Sequence, residues 1–177
     1  TIAPNLLERN FTSDQPCVKW VTDITEFKVR DKKLYLSPVM ELFNGEIISY
    51  SLSESPNFKQ ISDMLDGALK KLNSNAELIL HSDQGWQYQM KKYQLRLKQQ
   101  GIRQSMSRKD NCLDNAVIEN FFGTIKSELF YLKKYNDLQE LKSDIREYIK
   151  YYNNERIKLN LKGMSPAKYR AQYDNNN

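Results

Sequence analysis

The sequence holds one histidine and two cysteines in 177 residues. Cys17 and Cys112 lie far apart and lack the spacing of a metal site, so they read as free thiols in a reducing compartment. No apolar run approaches the length of a membrane span, and no charged-then-apolar signal stands at the start. Internal repeats are absent, and low complexity is confined to the terminal asparagines. The length fits one domain with a sizeable core and leaves no room for two full ones. Because the chain opens on Thr1 rather than methionine, the expectation is a fragment of something longer.

What is present is an uneven charge. The net is +5, yet from Thr1 to Leu132 there are 17 Lys and Arg against 16 Asp and Glu. From Lys133 to Arg170 there are 10 against 5. A basic segment beside a neutral one suits a polyanionic partner, and it suits a solvated helical face equally well.

The pattern of elements predicts an α/β fold. "VKWVTDITEF" (18–27) is rich in β-branched and aromatic residues, and "LYLSPVMEL" (34–42) meets "EIISYSL" (46–52) through Asn44-Gly45. Together they predict a three-stranded antiparallel meander, with Pro38 marking a bulge or an unpaired position. Phe58, Ile61, Leu65, Leu69 and Leu72 recur at helical spacing over 57–73. "ELILH" then reads as a buried strand reached by crossover and paired in parallel. A helix near 88–99 ending at Gly101, a strand "IRQSM" and a polar loop over 107–114 follow. Asp114 is placed to cap a helix over about 115–133, a second helix covers 137–154, and Ser165-Pro166 opens a last short one.

Three acids stand out by position. Asp23 lies within the first strand, Asp83 ends the crossover strand in "LILHSDQG", and Glu119 rides the helix after the polar loop. Each taken singly could be a strand-edge charge, a cap or a solvated helix position. Brought together, two carboxylates about 4 Å apart repel by roughly 1–4 kcal/mol, depending on the local dielectric. A fold keeps them so only around a cation. Oxygen ligands without histidine or cysteine favour Mg²⁺ or Mn²⁺, and two such ions about 4 Å apart serve in-line displacement at phosphate.

"WVTDIT", "HSDQGWQY", "SMSRKDNCLDNAVIENFFGTIKSEL" and "YYNNERIKLNLKGMSPAKYR" resemble the catalytic region of OrfB-type DDE transposases of bacterial insertion sequences, which are relatives of retroviral integrases. Between Asp83 and Glu119 lie 35 residues, the spacing of the group's DD35E signature. The resemblance covers nearly the whole chain. It implies a ribonuclease-H-like fold with a mixed five-stranded sheet flanked by helices, and three parts: an N-terminal arm (1–16), a catalytic core (17–155) and a basic tail with a short helix (156–177).

By the same resemblance, Asp23, Asp83 and Glu119 are the catalytic, metal-binding triad, with Asp23 bridging two Mg²⁺ or Mn²⁺ ions. Lys126, Asn115, Arg108, Lys109, Arg156 and Lys158 become expected DNA contacts, and His81 and Asp114 supporting residues. Glu41 stands where many relatives have Asp, and Lys158 where many have His. The implied activity is DNA strand cleavage and 3′-hydroxyl transfer in the bacterial cytoplasm, by a homo-oligomer acting on element ends and target DNA, with no membrane partner. The alternatives are a ribonuclease-H-like nuclease that cuts without joining, and an inactive nucleic-acid-binding module.

Overall fold

A computed structural model describes residues 1–73 and 77–177. Lys19–Thr22 (β1) and Thr25–Val29 (β2) run end to end along one edge of Lys32–Glu41 (β3), in a single antiparallel register that pairs Thr22 with Val39 and Thr25 with Leu36. The first strand expected over 18–27 is therefore one line of chain interrupted at Asp23 and Ile24. The cause lies opposite. Pro38 has no N–H to offer the ladder, and its carbonyl accepts instead from Thr22 Oγ1 at 2.8 Å. On the other edge of β3, Ile47–Ser53 (β4) pairs with Pro38 through Tyr50, and the register shifts between Val39 and Met40.

Ile79–Ser82 (β5) lies parallel to β1, and Arg103–Met106 (β6) lies parallel to β5. With β1 and β2 counted as one line, the sheet has the expected five strands, three antiparallel and then two parallel.

Alternation along the strands sends successive side chains to opposite faces, and each face is covered by helices. Val21, Leu34, Leu36 and Met40 pack with Ala116–Glu128 (α4) and Leu138–Asn154 (α5). Trp20, Val39 and Leu80 pack with Phe58–Leu69 (α1) and Lys91–Gln99 (α3). The starts of the outer helices are capped as their sequences suggest. Asn57 accepts from Gln60 N–H, Asp137 from Glu140 N–H, and Ser165 from Lys168 N–H ahead of Pro166.

Several boundaries move. The helix expected near 88–99 is two pieces, Trp86–Gln89 (α2) and α3, broken at Met90 in an extended conformation. α4 stops at Glu128, and a tight turn over Phe130–Leu132 replaces its last expected turn. The last helix, Pro166–Asn176 (α6), is longer than expected. It does not trail into solvent: Tyr169 and Tyr173 pack on Phe43, and Asn44 Nδ2 donates to the Pro166 carbonyl at 2.9 Å.

The basic C-terminal quarter is less available than its composition implies. Lys133 pairs with Glu140 and Asp144, Lys142 with Glu54, Arg156 with Glu128 and Arg170 with Asp174. Lys134, Arg146, Lys150, Lys162 and Lys168 are exposed and make no ion pair among the described residues.

Candidate active site

Strand register brings the acids together. β1 and β5 pair Val21 with His81, side by side on the α4 face. Two residues further along each strand, the same parity carries Asp23 and Asp83 toward that face, on neighbouring lines of chain about 4.8 Å apart. Both sit just past the C-terminal ends of parallel strands, where open α/β sheets form their binding crevices. Glu119 arrives from the first turn of α4. All three line one cavity of about 570 Å³.

The electrostatics are those of a site short of positive charge. Asp23 is almost fully buried, and its carboxyl is pushed up to about 9. Burial is the largest cause, followed by the hydrogen bond shared with Glu119 and the charge of Asp83, with the Ile24 N–H pulling the other way. Asp83 turns its Oδ1 back to accept from Gly85 N–H at 2.7 Å. As the side chains stand, no three acids, histidines or cysteines among the described residues are gathered tightly enough to hold an ion. The donor set still fits a hard divalent cation. It is all carboxylate, and all three members line one cavity.

His81 and Asp114 do not line the cavity but are buried beside residues that do. His81 Nε2 lies 2.7 Å from the Asp114 carbonyl, which can only accept, so Nε2 carries the proton. Burial lowers the pKa of the imidazole, which is therefore neutral and accepts at Nδ1 from Ser105 Oγ at 2.7 Å.

Asp114 does not cap α4. The capping position belongs to Asn115, and the Asp114 carboxylate is wholly buried against Arg108 and Arg9. Those guanidiniums and the Arg108 N–H hold it well below the usual carboxylate range. Asn115 lines the cavity; its Nδ2 donates to the Thr22 carbonyl at 3.4 Å, while its buried Oδ1 has no partner.

The basic residues divide. Lys109 is exposed on the cavity rim. Arg108 is on the rim too, but its guanidinium is engaged by Asp114. Lys126 is half-buried, with Nζ 5.2 Å from the centre of the Phe27 ring. Burial lowers its pKa, against the pull of Glu119 and Glu26.

Arg156 and Lys158 lie outside the cavity. Arg156 grips Glu128 with two nitrogens, at 2.9 and 2.7 Å. Lys158 is tucked over the Tyr152 ring and donates to its hydroxyl at 2.5 Å; burial pushes its pKa down to about 8. Arg156 thus ties the C-terminal segment to the end of α4, and Lys158 ties it to α5.

Glu41 is structural as well. Its buried carboxylate accepts from Cys17 N–H, Trp20 Nε1 and Phe43 N–H. Sequence reasoning missed Asn5, Arg9 and Ser105, and no local pattern marks them.

Residues 13–112 and 119–173 match the family described as "Integrase core domain". The chain belongs to the integrase core family. It is 60% identical over 170 residues to the putative transposase InsK for insertion sequence element IS150 of Escherichia coli K12, covering 96% of this chain and 60% of that protein. An uncharacterized transposase-like protein of Haemophilus influenzae is 57% identical over 171 residues, covering 97% of this chain and 79% of the relative. Among solved structures, the HTLV-2 integrase catalytic core domain in complex with magnesium superposes with a TM-score of 0.60 at 17% identity, over 88% of this chain and 95% of that one. The simian T-cell lymphotropic virus intasome in complex with a PP2A regulatory subunit gives a TM-score of 0.67 at 16% identity, over 89% and 55%. These likenesses establish the ribonuclease-H-like fold. This integrase core is similar to that of insertion-sequence transposases, and it spans about 60% of the Escherichia coli relative's length.

Proposed function

We propose that this integrase core is the catalytic region of a DNA transposase that cuts a strand at an element end and joins the 3′-hydroxyl to target DNA. The observation that carries the reading is the convergence of Asp23, Asp83 and Glu119 on one cavity at the ends of two parallel strands. Asp23, Asp83 and Glu119 would hold divalent cations, Mg²⁺ as in the HTLV-2 core, and two such ions would activate the attacking oxygen and stabilise the leaving one.

The chain's own residues do the rest. Asp23 gives up its proton to receive a cation, since a neutral acid is a poor ligand. The free Oδ1 of Asn115 accepts from a hydrogen-bond donor on the bound strand. Lys109 on the rim and Lys126 beyond Glu119 supply phosphate contacts that hold the strand in line, without reading its bases. The fold is similar to that of a chain in a viral intasome, and a homo-oligomer on DNA is the corresponding expectation for this core. No helix among the described residues is long and apolar enough to cross a membrane. The bacterial relatives support the cytoplasm as the compartment of this reaction.

The deciding experiment supplies a pre-cleaved element-end duplex and a supercoiled target with Mg²⁺, and follows both joined and hydrolysed products. Joined product that disappears in chelator supports the proposal. Hydrolysis with no joining would instead make this a nuclease. DNA binding with neither product would make it a binding module.

A further inference from the structure

The N-terminal arm reaches the catalytic loop directly. Pro4 offers its carbonyl to Met106 N–H at 3.0 Å, Leu6 N–H donates to Ser105 Oγ at 2.8 Å, and Leu7 is buried in the α4-side core. The chain then turns through Glu8 and Arg9, both left-handed at φ 49° and 63°. Neither is glycine, and such a backbone persists only where its surroundings compensate for roughly 1–3 kcal/mol of strain per residue.

The turn aims Arg9 and Asn5 at a single carboxylate. Arg9 Nε donates to Asp114 Oδ1 at 3.0 Å and its Nη2 to Asn111 Oδ1 at 3.1 Å, while Asn5 Nδ2 donates to Asp114 Oδ2 at 3.2 Å. Arg108 adds its own N–H, Nε and Nη2 at 2.8–2.9 Å. Asp114 thus takes five donors, two of them from residues more than a hundred positions away.

What this carboxylate holds matters for chemistry. Asp114 precedes Asn115, whose side chain lines the cavity, and Glu119 follows one helical turn later. From the other side, His81 fixes the Asp114 carbonyl. Between β6 and this point, Arg108, Lys109 and Asp110 are exposed, and Asp110 is itself left-handed at φ 55°. Beyond Ser107, which bonds the Ser82 carbonyl through its N–H and the Gln84 side chain through its carbonyl, the loop is anchored by this carboxylate and by Asn111.

We propose that Asn5, Arg9 and Asp114 are positioning residues: the arm's clasp on Asp114 sets the 107–115 loop, and through it the placement of Asn115 and Glu119 at the reacting phosphate. The proposal rests on reading the cavity as the strand-transfer site, and it extends the working apparatus to an arm that contributes no group to the cavity. Misplacement of reacting groups by about an ångström costs on the order of a hundredfold in rate, so a loosened clasp acts on turnover rather than on binding.

The test uses the whole chain with Arg9→Ala, Arg9→Lys and Asn5→Ala, and Asp114→Asn as a fourth variant. Amide hydrogen exchange is measured first, without DNA. Arg9→Ala is expected to speed exchange over 107–115 about tenfold while α5 is unchanged, and Arg9→Lys to restore part of the protection. Strand transfer then separates kcat from KM: kcat falls roughly tenfold with KM nearly constant. Unchanged loop exchange in both Arg9→Ala and Asn5→Ala overturns the clasp. A raised KM with unchanged kcat also overturns it, and makes Arg9 a DNA contact. If the wild type joins no DNA, the functional reading fails, and the exchange measurement still decides whether the arm holds the loop.

Discussion

Two buried aspartates a few residues from the same cavity have opposite fates. Asp23 faces Glu119 and Asp83, and its carboxyl is pushed up to about 9. Asp114 is the more deeply buried of the two, yet Arg108 and Arg9 hold it well below the usual range. Burial raises a carboxylate's pKa and is the largest cause at Asp23, with Glu119 and Asp83 adding to it, whereas at Asp114 the hydrogen bonds from Arg108 outweigh it. The fold supplies cations to the acid it uses for architecture and withholds them from the acid that, in the proposed function, would take an external one.

The sharpest way to break this contrast is by substitution at the acid cluster. Asp23→Asn, Asp83→Asn and Glu119→Gln should each cut strand transfer by about 10³-fold or more. Melting temperature should hold or rise, because Asp83→Asn and Glu119→Gln remove a charge from the cluster and Asp23→Asn removes the cost of keeping that buried acid protonated. Near wild-type joining by any one of them removes that residue from the site.

Asp114→Ala should do the reverse to stability. Arg108 N–H and two guanidiniums lose their acceptor, at a cost of about 1–3 kcal/mol in denaturant melts. The arginines are partly exposed and recover water, which keeps the loss near the lower end. A variant as stable as the wild type would mean the clasp contributes nothing to the fold.

The two aspartates should also tilt the pH–stability curve in opposite directions. Metal-free folded protein keeps the Asp23 proton up to about 9, whereas the unfolded chain releases it near 3.8. Stability therefore declines as pH rises through that window, by at most about 1.4 kcal/mol per unit for this group. Asp114 is depressed, so its contribution is present above its unfolded pKa and is lost as pH falls toward its folded one. Asp23→Asn should flatten the alkaline decline and leave the acid limb in place. By the same proton count, apparent Mg²⁺ affinity should rise by up to tenfold per unit between pH 7 and 9, as measured by calorimetry.

The smallest effect is expected at Lys126. Lys126→Ala should weaken binding to an element-end duplex several-fold and reduce the salt slope by about one unit. Its contact with the Phe27 ring adds a stability loss of about 0.5–1 kcal/mol. A stability loss with unchanged DNA binding would leave only the packing role.

How much of this was legible without coordinates depended on range. The meander, the crossover and the 35-residue spacing are written in local pattern, and all are present. The break at Asp23 was half-legible, since Pro38 announced an irregularity while its position opposite Asp23 depends on register. Asp114 was misread because an acid ahead of a helix is a cap by every local rule. Of the two arginines that outweigh the rule, Arg108 is local, but Arg9 is more than a hundred positions away. The partners of Arg156 and Lys158, Glu128 and Tyr152, lie on other elements, and no local pattern announces them. Glu41 shows the same limit, with Cys17 and Trp20 as its unseen donors.

The pairing of Val21 with His81 makes the site a matter of odd and even. One extra residue between Leu80 and Asp83 would swing the second carboxylate to the α1 face without disturbing a single hydrophobic contact upstream. Extra residues at the tip of the hairpin joining β2 to β3, where Arg30 and Asp31 form the turn, change no side chain's face. Tolerance to insertion should therefore be patchy along this chain, and the map of where it fails would trace the two strands that carry the acids.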